Sequence, residues 1–279
     1  MTVRIVTDST CDLPHDLVTA YNIVVVPLTV FFGEEAFLDG VEISGDEFYD
    51  RMRSSHVLPR TSQPSVEQFR EAYEKLAEET DEIVSIHLST RLSGTLNAAS
   101  VAREELAGVA HIDLIDSYTV SLGLGLVVLE AAAVAANGGK LEEVVAATRR
   151  AMDRVSVRVV VDTLEYLQKG GRIGRARSLL GSVLSIKPLL HVEDGEVAPI
   201  ERVRTRTKAF ERMAEIASQQ ARAKMMFVAC GGNDAEAERF IEYVRPNLPH
   251  TDLGLARLGP VVGVYTGPNA LGFAWINRE

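Results

Sequence analysis

Apolar segments and helical segments alternate through the first 155 residues of the chain. Three short apolar segments, Val3 to Val6, Ile83 to Leu88 and His111 to Ile115, are each followed by residues whose apolar positions recur at helical spacing. Strands and helices that alternate in this way favour parallel strands joined by helical crossovers. The sequence therefore predicts an α/β domain over residues 1–155, built on a parallel sheet with helices on both faces.

The pattern changes after this point. Val157 to Val161 is a further apolar segment, and farther along the chain Asp194 and Gly195 separate two segments of strand-like composition, which is typical of a β-hairpin. Single strands and helices are predicted from there to the C-terminus. We therefore predict a smaller mixed α+β domain over residues 156–279.

Charge and composition exclude several classes of function. Asp and Glu number 39 against 29 Lys and Arg, and the formal net charge is −10, so we expect no general binding to nucleic acid or to an anionic membrane. The most apolar run, residues 120–136, contains Glu130 and is too short for a convincing span, so we expect no stable membrane insertion. The two cysteines and six histidines have no metal-binding or disulfide spacing. We expect a cytoplasmic protein without a signal peptide, a metal or a cofactor.

Hydroxyl groups crowd the segment Leu88 to Ser100, LSTRLSGTLNAAS, at the junction of a predicted strand and a predicted helix. A helix N-terminus presents free N–H groups and the positive end of the helix dipole, and Ser93 and Thr95 would add hydroxyl donors beside Gly94. An anion site and an ordinary helix cap are both compatible with this pattern. In a third interpretation Ser93 is the nucleophile of an esterase or acyltransferase, although Arg91 replaces the first glycine of the G-x-S-x-G motif.

A second hydroxyl-bearing loop, Arg60 to Ser65, contains Thr61 and Ser62. If the first domain is a parallel sheet, this loop and the loop around Ser93 can share its carboxyl edge, where such sheets bind ligands. Ser65 also suits a helix cap. The loop is therefore either a second part of a ligand site or a capping loop.

Two segments of the second domain are further candidates for binding. Lys169 to Arg175 is basic and rich in glycine, as a lid or a partner-docking surface would be. Gly259 to Gly272 has the Gly and Pro content of an unusual turn near a ligand, with hydroxyls at Tyr265 and Thr266. The segment that follows the basic loop is either core or the apolar wall of a pocket. Its apolar residues are Leu179, Leu180, Val183, Leu184 and Ile186.

Seven segments in a fixed order resemble one family of proteins. They are TDSTCDLP near the N-terminus, RTSQPS, LSTRLSGT, the stretch from Asp116 to Gly125, TLEYLQKGGRIG, LSIKPLL with the following RVRTRTKA, and YTGPNALG. Together they resemble the DegV family, the fatty acid-binding proteins of bacterial fatty acid kinase. The resemblance extends from Asp8 to Gly272.

The resemblance implies two α/β domains with a long-chain fatty acid buried between them. The protein would be a carrier and not an enzyme. A separate ATP-binding subunit of fatty acid kinase would phosphorylate the bound carboxylate, and the acyl phosphate would enter phospholipid synthesis. The fatty acid and this kinase subunit are therefore the partners that the resemblance implies.

The resemblance also implies roles for single residues. Hydroxyls of Ser93 and Thr61 would hold the carboxylate, and Arg204 or Arg172 would contact the head group or the kinase subunit. Other residues near the carboxylate would be Ser62, Gly94, Thr95, Tyr265 and Thr266. Where the family commonly has His before Thr-Gly-Pro, this chain has Tyr265, a phenol that stays neutral near pH 7. The carboxylate would then be held by neutral donors.

Overall fold

The computed structural model describes residues 2–181 and 186–279. Its first elements are β1 (Arg4–Asp8), α1 (His15–Ala20), β2 (Val24–Val26), β3 (Thr29–Phe32), β4 (Glu35–Leu38), α2 (Gly45–Ser54), β5 (Arg60–Ser62), α3 (Val66–Ala77), β6 (Glu82–His87), α4 (Thr95–Glu105), β7 (His111–Asp116), α5 (Leu122–Ala136) and α6 (Leu141–Met152). They are followed by β8 (Val155–Val160), α7 (Glu165–Lys169), β9 (Lys187–Glu193), β10 (Glu196–Val203), α8 (Arg206–Ser218), β11 (Ala223–Cys230), α9 (Asp234–Val244), β12 (Asp252–Arg257), α10 (Pro260–Thr266) and β13 (Leu271–Asn277). Short 3-10 helices cover Ser9–Cys11, Gly174–Leu179 and Arg245–Asn247.

The parallel sheet predicted for the N-terminal half is confirmed. Its strand order is β2-β1-β6-β7, and all of its neighbouring strands are parallel. Successive residues of a strand face opposite sides, so Ile5 packs on the side of α5 while Val6 packs on the side of α3 and α4. Helices therefore cover both faces of the sheet, which explains why its strands are almost continuously apolar.

The mixed sheet predicted for the C-terminal half is also confirmed. Its order is β10-β9-β8-β13-β11-β12, in which β11 and β12 are parallel and the other neighbouring strands are antiparallel. The predicted turn at Asp194 and Gly195 joins β9 to β10, and Gly195 has a φ of 80°, a conformation that glycine adopts without strain. Buried side chains of α8 and α9 cover one face of this sheet.

The other face of the mixed sheet shares its core with the parallel sheet. One cluster of buried side chains runs from Ile86 of β6 through α5 to Val157 of β8. The helix α5 is buried almost all round, as its apolar composition indicates. Among the helices that residues 2–181 and 186–279 form, none is long and apolar enough to cross a membrane. The division of the chain into residues 1–155 and 156–279 remains a prediction.

Two local expectations differ from the structure. The predicted loop around Thr61 contains β5, which pairs with β3 in an antiparallel sheet of order β4-β3-β5. The segment from Gly259 to Gly272, predicted as an unusual turn, contains the helix α10. Pro260 is the first residue of that helix, where proline is favoured because the missing N–H has no helical partner. Gly267 ends the helix with a φ of 80°.

Candidate ligand-binding site

An apolar cavity of about 560 Å³ lies between the carboxyl edge of the parallel sheet and the mixed sheet, within the size range of small-molecule sites. The segments that follow β1, β6 and β7 contribute Thr10, Leu88 and Val120 to its lining. Because the carboxyl ends of parallel strands meet at one edge, residues that are far apart in sequence converge here. The hydroxyl-bearing loops that contain Thr61 and Ser93 reach the same cavity.

Alternate residues of β8 form the opposite wall. Val157 and Val159, with Val161 directly after the strand, line the cavity together with Leu190 and Val192 of β9. Every second residue of a strand points to the same side of a sheet. One face of the mixed sheet therefore provides a continuous apolar strip along the strand direction.

Two pairs of hydroxyl groups lie at the cavity. The Thr61 Oγ1 and Tyr265 Oη atoms are 2.5 Å apart, and the Ser93 Oγ and Thr95 Oγ1 atoms are 2.9 Å apart. A hydrogen bond between two hydroxyls uses one of their two protons. The second hydroxyl of each pair can therefore donate its proton to a ligand.

Arg172 connects the segments that carry these two pairs. Its Nε donates to the Leu92 carbonyl oxygen at 3.0 Å, and its Nη1 donates to the Gly170 carbonyl oxygen at 2.8 Å. Its guanidinium carbon lies 5.3 Å from the centre of the Tyr265 ring. A guanidinium stays charged in proteins, so a positive charge is held beside neutral hydroxyls. We call Thr61, Ser93, Arg172 and Tyr265 together the polar end of the cavity.

The predicted head-group residues divide into two groups. Those that line the cavity are Thr61, Ser62, Ser93, Arg172, Tyr265 and Thr266. Gly94 and Thr95 are absent from the lining that residues 2–181 and 186–279 form. The Gln63 side chain fills the space beside Gly94, where an added Cβ would meet it. Thr95 is fully buried and reaches the site through its bond to Ser93.

The apolar lining differs from the predicted set. Leu179 is buried, Leu180 is exposed and Ile186 is half-buried, and none of the three lines the cavity within the described part of the chain. Val183 and Leu184 lie outside the described residues. The apolar lining comes instead from β8 and β9 and from residues of several other segments, which include Leu88, Val120 and Val262. The alternating valines of β8 are visible in the sequence, but the same pattern is typical of any buried strand.

The two predicted arginines have different surroundings. Arg204 is exposed and does not belong to the cavity lining that the described residues form. From this position it is open to a partner rather than to a ligand inside the cavity. Arg172 lines the cavity and is also exposed, so the polar end lies near the protein surface.

A buried chain of hydrogen bonds begins at the cavity-lining residue Thr10. Asp8 accepts from Thr10 Oγ1 at 2.5 Å and lies 3.0 Å from His87 Nδ1, while Ser85 Oγ lies 2.7 Å from His87 Nε2 and 2.8 Å from Tyr73 Oη. Ser, His and Asp also compose a catalytic triad. Here Asp8, Ser85 and His87 are 0% exposed, which keeps a substrate away from them.

Two further buried carboxylates lie near this series of hydrogen bonds. Asp12 accepts from Ser121 Oγ and from the Gly259 N–H, and Asp39 accepts from Ser9 Oγ at 2.8 Å. Burial raises the pKa of Asp39 to about 7 and raises the pKa of Asp12 well above its ordinary value, because the charged form of a carboxyl is disfavoured away from water. We call Asp8, Asp12 and Asp39 together the acid region.

The surroundings of Ser93 favour binding over nucleophilic attack. A nucleophilic serine needs a general base within hydrogen-bond reach. In the described residues the side-chain partner of Ser93 is Thr95, and both ring nitrogens of His87 are engaged with Asp8 and Ser85. Those residues also contain no group of three or more His, Cys, Asp or Glu side chains that could hold a metal ion.

The fold and the cavity define a class of protein: an α/β chain with two main sheets that enclose an apolar ligand cavity with hydroxyls and an arginine at one end. Within this class the chain belongs to the DegV family. The model of the family described as "Uncharacterised protein, DegV family" matches residues 2–278. The family resemblance found in the sequence motifs is therefore confirmed.

Known proteins of similar sequence and structure agree with this assignment. A DegV domain-containing protein of Deinococcus radiodurans is 38% identical over 98% of both chains. A DegV family protein from Thermus thermophilus, described by its fatty acid binding, superposes with a TM-score of 0.91 at 35% identity over 100% of both chains. A stearic acid-binding protein from Eubacterium ventriosum has a TM-score of 0.91 at 28% identity, over 99% of this chain and 98% of that one.

Proposed function

We propose that this chain binds a long-chain fatty acid, with the hydrocarbon in the apolar cavity and the carboxylate at the polar end. One observation carries the proposal: a cavity of about 560 Å³ has walls of apolar strand residues and a cluster of hydroxyls with a guanidinium at one end. A ligand with one long apolar part and one small anionic part matches this distribution. The fatty acid-binding proteins of similar structure support the same ligand class.

The hydrocarbon would supply most of the binding free energy. Burial of roughly a dozen methylenes at ~0.8 kcal/mol each gives about 10 kcal/mol before other terms are counted. Association and the ordering of the chain consume much of this gain. The remainder is large enough for the acid to stay bound during purification, so the ligand can be identified directly.

The carboxylate would be held by charge as well as by neutral donors. A carboxylate taken out of water without partners costs several kcal/mol. Ser93 and the Thr61–Tyr265 pair can each donate a hydrogen bond, and Arg172 adds a positive charge. Hydrogen bonds to an ionised group are stronger than those between neutral groups. Arg172 would therefore favour the ionised acid, although Tyr265 stands where the family commonly has a histidine.

The proposed role is that of a non-catalytic carrier in the cytoplasm. The chain would present the bound carboxylate to a separate ATP-binding kinase subunit, which would form the acyl phosphate for phospholipid synthesis. Two features support this role. Arg172 lines the cavity and is exposed, so the carboxylate would lie near the surface, and the exposed Arg204 offers a charged contact for a partner.

Extraction of the purified protein with organic solvent, followed by mass spectrometry, tests the ligand. A long-chain fatty acid should be recovered, and added palmitate should raise the melting temperature of delipidated protein. Failure of both measurements would reject the proposal. Covalent acylation of Ser93 by an activated acyl ester would instead favour the esterase or acyltransferase.

The variant Ser93→Ala tests the position of the carboxylate. Removal of one hydrogen bond to a charged acceptor, worth about 1.5–3 kcal/mol, should weaken palmitate binding by roughly 10- to 100-fold. Ser100→Ala is a matched control, since Ser100 is half-buried on α4 and lies outside the described cavity lining. Equal affinities of the two variants would remove Ser93 from the site.

The variant Arg204→Ala tests the presentation of the acid. With a fatty acid kinase ATP-binding subunit and ATP, it should form acyl phosphate more slowly than wild type while its dissociation constant for palmitate is unchanged. Arg149→Ala, at an exposed arginine of α6, is the control. Acyl phosphate formation that does not depend on this chain would contradict the carrier role.

A further inference from the structure

An open groove of about 490 Å³ adjoins the apolar cavity. Val157 and Val192 line both spaces, so these two side chains separate the enclosed cavity from the groove. We name the second space the outer groove. Its other lining includes Tyr118, Met152, Val155, Ser156 and Asp194.

Two segments of the cavity wall, β8 and the residues before α5, extend into the lining of the outer groove. Along β8, Val159 and Val157 line the cavity, and Val155, the next residue on the same side of the strand, lines the groove. In the segment before α5, Val120 lines the cavity and Thr119 lines the groove. The groove is therefore an extension of the cavity beyond the two shared valines.

Along β8, this extension lies toward the amino-terminal end of the strand, whereas Tyr265 of the polar end lies beyond its carboxyl end. The helix α7 follows the carboxyl end of β8, and Gly170 at its end packs against the ring of Tyr265. The row of lining residues from Val161 back to Val157 leads away from that contact. At ~3.3 Å per residue it covers about 13 Å. A ligand whose carboxylate lies at the polar end would thus direct its tail toward Val157.

We propose that Val157 and Val192 form the tail-end wall of the cavity and set the longest acyl chain that this protein takes. The inference rests on the proposed function, because only a ligand with a tail meets this wall. Since the outer groove lies directly behind the two side chains, removal of their methyl groups would join the two spaces. The last carbons of a longer chain would then lie against Met152 and Val155, which pack on the same core as the cavity valines.

Charged groups at the rim of the outer groove make it a less favourable place for an acyl tail than the cavity. Arg91 of the rim lies 2.9 Å from Glu196, and Asp194 of the rim lies 2.7 Å from Arg175. Methylenes near such charged groups gain less from burial than methylenes in an apolar cavity. The wild-type wall therefore keeps the tail in the apolar space, and chains that exceed it are disfavoured.

The double variant Val157→Ala/Val192→Ala tests the proposal. The matched control is Val159→Ala/Val197→Ala, which removes the same number of methyl groups from cavity-lining valines of the same sheet that do not line the outer groove. Dissociation constants of delipidated protein for palmitate and for docosanoate are measured. The ratio of the docosanoate value to the palmitate value should fall about tenfold or more in the first variant, since each accommodated methylene is worth a factor of this size.

An equal ratio in wild type and in Val157→Ala/Val192→Ala, or an equal fall in the control, would overturn the proposal. Wild type that binds neither acid would instead reject the proposed function. The variant Val157→Leu tests the same proposal if the alanine variants do not fold, because it adds volume to the wall without opening it. It should weaken palmitate binding more than laurate binding, and equal weakening of both would also contradict the assignment.

Discussion

Two polar regions border the cavity, and they differ in where their hydrogen bonds go. In the acid region the carboxylates bond to donors of the protein itself: Asp8 to the Leu88 N–H, Asp12 to the Gly259 N–H, and Asp39 to a serine hydroxyl. At the polar end, each of the two hydroxyl pairs uses one proton for its internal hydrogen bond and leaves the other proton free. The first region is satisfied by the fold, and the second retains donors for a ligand.

These two patterns of hydrogen bonding predict different roles for the two regions. The bond from Asp8 to His87 spans 79 residues of sequence, and the bond from Asp12 to Gly259 spans 247, so the acid region ties the N-terminal strand to distant segments. Removal of such a buried partner costs the desolvation of the group left behind. Substitutions in the acid region should therefore change the free energy of unfolding, and substitutions at the polar end should change ligand affinity.

The largest effect is expected for Asp8→Ala. The substitution removes the acceptor of the Leu88 N–H and the His87 ring, and also that of the Thr10 N–H and hydroxyl. At about 1–3 kcal/mol per unsatisfied group, Leu88 and His87 alone should lower the free energy of unfolding by about 2–6 kcal/mol. Urea unfolding measures this change. Asp81→Ala, at an exposed aspartate, should alter stability by about 0.5 kcal/mol at most. A similarly small loss for Asp8→Ala would show that the acid region does not stabilise the fold.

A pH-dependent effect is expected for Asp39→Asn. The pKa of Asp39 is raised by burial to about 7 in the folded protein, so the folded state holds a proton that the unfolded state has released above about pH 4. The stability that this proton confers is complete below about pH 4 and is lost as pH rises to about 7, on the order of 4 kcal/mol in all. The free energy of unfolding of Asp39→Asn should fall less over this range than that of wild type. Parallel pH profiles would contradict the buried, protonated Asp39.

The sequence predicts much of the scaffold because local periodicity reports which side of a strand is buried. Successive apolar residues in β1 and β6 indicated a sheet covered on both faces, and that is the arrangement of Ile5 and Val6. Local periodicity does not show where the chain passes from one sheet to another. The segment Ile23 to Phe32 looks like one strand, yet Pro27, which lacks an N–H, separates β2 of the parallel sheet from β3 of the small sheet.

The candidate site is only partly predictable for a related reason. Loops rich in hydroxyls are recognisable in the sequence, and Thr61 and Ser93 from two such segments both line the cavity; their contact with a ligand stays a prediction. The hydrogen bonds of the acid region are not visible in the sequence, because the partners of Asp8 and Asp12 become neighbours only when the strands assemble. The proposed tail-end wall is not visible in the sequence either. Val157 has the pattern of any buried strand residue, and only the folded structure shows that it borders a cavity.

At the polar end, Arg172→Gln should weaken binding more than a substitution of Tyr265 does. It removes the positive charge beside the hydroxyls, and the loss of a charged hydrogen bond of about 1.5–3 kcal/mol should weaken palmitate binding by roughly 10- to 100-fold. Urea unfolding should show little change. Arg177→Gln, at an exposed arginine of the same segment, should leave affinity unaltered. Because salt screens charge near a surface, wild-type affinity should also fall with added NaCl more than that of the variant, and the absence of both effects would assign the charge no role.

The smallest effect is expected for Tyr265→Phe. The ring that packs beside Arg172 is kept, and Thr61 loses the phenol that orients its hydroxyl. Because Thr61 still has its own proton to donate to the carboxylate, the loss should be small, about 0.5–1.5 kcal/mol, and palmitate should bind roughly 2- to 10-fold more weakly. Isothermal titration of delipidated protein measures this change. A loss as large as that of Arg172→Gln would mean that the phenol, and not the guanidinium, dominates the polar end.

The variant Tyr265→His sharpens the same comparison, because it adds a titratable charge where wild type has a neutral donor. An imidazole with an ordinary pKa of about 6.5 is protonated as pH falls from about 8 to about 6, and a second cation would then face the carboxylate. Relative to wild type, the variant should bind palmitate more tightly at the lower pH and about equally at the higher one. If the ratio of the two affinities does not change with pH, residue 265 does not contact the carboxylate, and the hydroxyl of Thr61 reaches the ligand without it.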